Sequence, residues 1–80
     1  MKNTMSDANY YLNNKLDQFK VARDGLDLKS EIREINSFLS DLPKMTFIRY
    51  QLQELKLSNE ITLVKLASIV KNAIEVTEQN

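Results

Sequence analysis

Apolar residues recur along this chain with helical spacing, in three successive stripes. The first is Ala8, Leu12, Leu16, Phe19 and Ala22, at steps of four, four, three and three, with Asn13, Asn14, Asp17, Gln18 and Arg23 on the opposite side. This predicts a helix over 7–23, capped by Ser6, with residues 1–5 frayed. Asp24-Gly25 reads as its end, because glycine takes a positive φ without steric cost, and Asp27 reads as the N-cap of the next helix. The second stripe is Leu28, Ile32, Ile35, Leu39 and Leu42 with Phe38 beside it. Lys29, Arg33, Glu34 and Ser37 are left on the wet side, giving a helix over 28–41.

Pro43 then interrupts the pattern. A proline inside a helix costs roughly 3 kcal/mol, whereas in a first turn its missing N–H loses nothing. Leu42-Pro43 is therefore a boundary, with Asp41 or Thr46 as the cap of the third helix and Leu39, Leu42, Met45, Phe47 and Ile48 packing around the bend. The third stripe is Ile48, Leu52, Leu55, Asn59, Thr62, Leu66, Ile69, Ala73 and Val76, alternating steps of four and three, which is a heptad seam. Beyond residue 60 a second apolar row (Ile61, Val64, Ala67, Val70, Ile74) leaves only Lys65, Ser68, Lys71, Asn72 and Glu75 polar, so this half must be covered on more than one side. The unbroken phase favours one long helix over 45–76, roughly 48 Å in length, whose surplus surface packs on another copy. The alternative is a break near Leu57-Ser58-Asn59, with Ser58 capping a fourth helix.

The expected fold is thus all-α: a single domain over 1–80, an antiparallel helical hairpin or bundle of two shorter helices and one long C-terminal helix, oligomeric. One glycine, one proline and no cysteine in 80 residues agree with this. Such a chain has little turn chemistry and a thin core, and without disulfides its remaining staple is association. Eleven basic and eleven acidic side chains cancel, so the electrostatic footprint of a nucleic-acid or membrane-surface binder is missing. No apolar run is long enough to span a membrane, and MKNTMSDANYY has no apolar stretch behind its lysine, so the expected location is cytoplasmic.

The absence of both His and Cys removes Cys/His zinc sites, thiol nucleophiles and Ser-His-Asp triads, and a single glycine removes a phosphate loop. Glu31 with Glu34, and Asp24 with Asp27, could in principle hold a hard cation, but a solvated face and a helix cap explain them. No catalytic residue, cofactor or metal is expected. Asn59 and Thr62 are polar seam positions that either rotate to solvent or fix a register. Arg49 and Tyr50, with Gln53 and Lys56, form a flank that is either plainly solvated or an interface anchor. Tyr10-Tyr11 could also be a contact surface. The expected interface is Ile48, Arg49, Tyr50, Leu52, Leu55 and Asn59.

Gln18-Phe19, the turn Asp24-Gly25-Leu26-Asp27, Ile35, Leu39, Leu42-Pro43, Tyr50-Gln51, Leu55, Asn59, Leu63 and the ending LASIVKNAI, over residues 8–76, resemble the C-terminal two thirds of the YlbF/YheA/YmcA family of small helical proteins of Gram-positive bacteria. The resemblance implies an all-helical, oligomeric, non-enzymatic scaffold of regulatory complexes, with no catalytic residues to carry over. Two departures stand against it: the family's further N-terminal helical segment is lacking, and the cysteines of its iron-sulfur-linked members are missing, which excludes a cluster role. The expected function is a protein-protein interaction or regulatory adaptor that binds itself and a protein partner. The alternative is a small nucleic-acid-binding or transcription-modulating protein of phage or mobile-element type, which the balanced charge disfavours.

Overall fold

The structure, a computed structural model, describes residues 5–21, 26–55 and 62–79. The described residues are all-helical: α1 Met5–Val21, α2 Leu28–Leu39, α3 Thr46–Gln53 and α4 Thr62–Glu78. The all-α expectation holds, with four helices among the described residues in place of three.

α2 forms as its pattern predicts. The Asp27 carboxylate accepts from the Ser30 N–H, satisfying an otherwise orphaned first-turn donor. Ile35 and Leu39 are buried, Leu28, Ile32 and Phe38 are partly buried against the core, and Lys29, Arg33, Glu34 and Ser37 are exposed. Its end comes at Leu39, two residues early. The Ser40 N–H bonds back to Asn36 O and Ser37 O, and the Leu42 N–H to Leu39 O, which tightens the last turn.

α1 begins at Met5, which places Ser6 inside the helix and not at its cap. Its expected end at Asp24-Gly25 lies outside the described residues. Ala8, Leu12 and Phe19 are buried as the stripe requires, but the further buried position is Lys15, while Leu16 is only partly covered.

The largest correction concerns the long helix. α3 stops at Gln53, Glu54 is its C-cap, and the Leu55 N–H turns back to Leu52 O. α4, described over Thr62–Glu78, packs on α3 as a separate helix. A straight 45–76 helix of roughly 48 Å would overrun a molecule whose longest dimension is 33 Å. The physical reason is that the two halves of a straight seam cannot bury each other, whereas folding back encloses Ile48 and Leu52 with Leu66, Ile69 and Ala73 in one core. Ser58 and the seam position Asn59 lie outside the described residues.

Leu42-Pro43 is a helix boundary as expected, between α2 and α3, but Pro43 precedes the third helix and is not in its first turn. The proline lies exposed in the turn before α3, whose N-cap is Met45 without a side-chain cap bond, so neither Asp41 nor Thr46 caps the helix. Leu42 and Met45 are buried at the bend, but Phe47 is 69% exposed and does not join them. Lys44 takes φ 66°, left-handed for a residue with a Cβ.

α4 is the central element and packs on all three others. It runs antiparallel to α1: Asn9 near the start of α1 donates to Thr77 Oγ1 near the end of α4 at 2.9 Å, and Leu16 and Lys20 lie beside Ala67, Ser68 and Lys71. Lys65, Lys71, Asn72 and Glu75 face outward as the pattern predicts, and Val64 of the second apolar row is exposed rather than covered. α1 and α2 meet only through long side chains, since their Cα atoms stay more than 8 Å apart among the described residues.

Candidate interaction surface on the third helix

The bend at residues 40–45 and the packing of α3 on α2 and α4 decide which side of this two-turn helix is left to solvent. Ile48 and Leu52, four residues apart, turn inward and are 4% and 1% exposed, so they belong to the chain's own core. Leu55 packs partly buried against that core. Arg49 is half-buried and its Nε donates to Asn36 Oδ1 on α2 at 3.1 Å, which fixes the flank to the neighbouring helix. Of the expected interface residues among those described, only Tyr50 stands clear, at 60% exposure.

Phe47, three residues earlier, shares that outer face, because positions three apart on a helix are neighbours. The apolar pattern alone places it in the core. The signal that finds it is its phase: Ile48 and Leu52 define the inner side of a helix only eight residues long, and Phe47 is about 100° away from Ile48. Two aromatic side chains thus stand outward, one turn apart, with the exposed Glu54 beyond them and the exposed Lys44 before them.

The seam residue Thr62 is buried at 1% inside the chain, which places it in the core and not at solvent. Tyr10 is 73% exposed, while Tyr11 turns inward and stacks on Phe38 with ring centroids 3.9 Å apart and 18° between planes.

A cluster of charge with defined geometry lies between α1 and α2. Lys15 Nζ donates to Glu31 Oε2 and to Glu34 Oε2, both at 2.8 Å, and sits 5.7 Å from the Tyr11 ring centroid. Glu31, read in the sequence as solvated, is a part-buried ion-pair partner with a side chain 15% exposed; Glu34 is 56% exposed. Burial alone would lower the Lys15 pKa, but the hydrogen bonds to Glu31 and Glu34 outweigh it and the ammonium is held above its ordinary value. The hydrogen bond from Lys15 holds the Glu34 carboxyl below its ordinary value, and burial pushes the Tyr11 hydroxyl up. This arrangement clamps two helices whose backbones do not touch. Among the described residues no three His, Cys, Asp or Glu side chains gather as metal ligands.

A shallow groove of about 360 Å³ between α1 and α4 is lined by Leu16, Lys20, Ala67, Ser68 and Lys71. No described helix is long and apolar enough to cross a membrane.

Comparison with known proteins adds no relative: no family model matches the chain, and neither a curated protein nor a solved structure matches it.

Proposed function

We propose that this chain is a non-enzymatic helical interaction protein of the cytoplasm that associates with itself and offers a protein partner a helix face. The observation that carries this reading is the pair Phe47 and Tyr50, 69% and 60% exposed on the same side of α3. Aromatic rings are among the residues most enriched at protein interfaces, and two of them adjacent on a short helix form an anchor rather than a scattered surface residue. The proposed contact face therefore keeps Tyr50, exchanges the core residues Ile48 and Leu52 for Phe47, and leaves Arg49 as the strut that holds α3 to α2. The resemblance to the YlbF/YheA/YmcA family agrees with an oligomeric scaffold, but the proposal does not need it.

Light scattering over a concentration series from about 10 µM to about 500 µM tests the reading. The expected result is a mass that rises toward twice the chain mass of 9.3 kDa. A Phe47→Ser/Tyr50→Ser variant should stay at one chain mass with unchanged helicity by circular dichroism. A wild-type protein that remains strictly monomeric over the whole series would end this proposal.

A further inference from the structure

We infer that the self-associating face is two-fold symmetric: α3 of one copy lies antiparallel on α3 of a second, with Phe47 against Tyr50 and Lys44 beside Glu54, each contact made twice. This rests on the proposed self-association and specifies its geometry.

The ends of α3 carry charges in an unfavourable order. A helix favours acids at its N-terminus and bases at its C-terminus, where they oppose the partial charges of the unpaired N–H and C=O groups. α3 has the reverse. It has no acid in its first turn and no base in its last; Lys44 immediately precedes its N-cap, and Glu54 is its C-cap. The N-cap Met45 supplies no side-chain acceptor either. An antiparallel copy corrects both ends at once, bringing Glu54 of each chain to the N-terminus of the other and Lys44 to the C-terminus.

The exposed positions carry the same symmetry. Of the exposed positions from Lys44 to Glu54, which are Lys44, Thr46, Phe47, Tyr50, Gln53 and Glu54, the charged and aromatic ones run cation, ring, ring, anion. Turned end for end, the string becomes anion, ring, ring, cation. A two-fold axis between Phe47 and Tyr50 places Lys44 opposite Glu54 with a register mismatch of one residue, or about 1.5 Å. That is the self-complementarity an isologous interface requires. A parallel pairing would instead set lysine beside lysine and glutamate beside glutamate. Lys44 has an interaction within its own chain, and the pairing asks of it a positive charge at that end of the helix, not an unengaged ammonium.

The area sets the strength. Four rings, each about two-thirds exposed, carry on the order of 500 Å², below the roughly 1,200 Å² at which standard interfaces begin. The pair is therefore weak and concentration-dependent.

Charge exchange tests the register. Lys44→Glu alone places two acids together at each end of the dimer, and Glu54→Lys alone places two bases together; each should weaken dimerisation roughly ten- to hundredfold by sedimentation equilibrium. In an equimolar mixture of the two variants, the mixed dimer sets an acid opposite a base at both ends and should regain dimers within a few fold of wild type, as should the double variant with itself. Glu54→Lys also corrects the dipole of its own helix, so its monomer should unfold at equal or higher temperature while dimerising less. Loss of helicity would move both readouts together, and this opposition separates the two. A wild-type dimer indifferent to both substitutions, or a mixture no better than its components, overturns the two-fold register and points to another face, such as the groove beside Leu16 and Ala67. A wild type with no dimer overturns the self-association reading as well.

Discussion

Lys15 shows how one residue can connect two helices and how its removal can be read. Its ammonium is buried between Glu31 and Glu34, so deleting it leaves Glu31 part-buried and unpaired, which is costlier than the pair is stabilising. Lys15→Met should destabilise the fold by about 2 kcal/mol in urea unfolding, and Lys15→Met/Glu31→Leu should recover to within about 1 kcal/mol of wild type. The same contacts set the pH dependence. The Glu34 pKa is lowered in the folded chain, so its contribution is present above the ordinary value of 4.5 and is lost as pH falls through the lowered one. The Lys15 pKa is raised, so its contribution is full below the ordinary 10.5 and is lost as pH rises through the raised one. Stability should therefore be flat from about pH 5 to about pH 10 and fall on both sides, with the acid limb shallower in Lys15→Met; an unchanged acid limb would mean that Glu34 contributes nothing through Lys15. None of this was legible locally. Counting Leu16 into the stripe placed its centre one residue late, because a lysine scores as polar even when its alkyl stem and ammonium are both covered, and the acids that cover it lie sixteen and nineteen residues away.

At the scale of elements, legibility follows length. α2, twelve residues with a capping aspartate and a clean apolar side, was readable almost to its ends, since several turns of consistent pattern and a local cap agree. α3 has eight residues, and with so few turns one aromatic residue on the wrong side goes unnoticed. That α3 and α4 are two helices is hidden by a heptad phase that is the same in both. Phase is evidence for helix within each segment, but whether two segments are one helix depends on what else can cover them, and that is tertiary information. The α2–α3 bend carries two predictions. Lys44 at φ 66° is in a region that glycine occupies at no steric penalty, so Lys44→Gly should stabilise the monomer by about 0.5–1 kcal/mol in thermal or urea unfolding; destabilisation would mean that the side chain's own contacts outweigh the backbone strain. Pro43 lies outside any helix, so Pro43→Ala should cost about 1 kcal/mol or less, acting chiefly through the freedom it returns to the unfolded chain.

For the whole molecule, the small core and the exposed rings are two sides of one constraint. Among the described residues, fourteen buried apolar side chains spread over four helices and one bend form the core, and a domain of this size buries only about 60% of the surface its unfolded chain exposes. The four rings of the proposed dimer would bury on the order of 500 Å², about 12 kcal/mol gross at 25 cal/mol/Å², against an association cost of roughly 4–15 kcal/mol. The net is small, so association and folding must be linked by mass action. At a total concentration one hundred times the dimer Kd, the chain that is shared between monomer and dimer gains roughly 1.5 kcal/mol per copy over the isolated monomer. In a domain of 60–100 residues each kcal/mol shifts the midpoint by about 4–8 °C. Calorimetry from well below to well above the Kd should therefore raise Tm by roughly 6–12 °C for the wild-type chain and leave the Phe47→Ser/Tyr50→Ser variant flat. A wild-type Tm independent of concentration across a range where light scattering reports dimer would mean that the contact forms equally well between unfolded chains, and that the ordered face of α3 is not what the copies recognise.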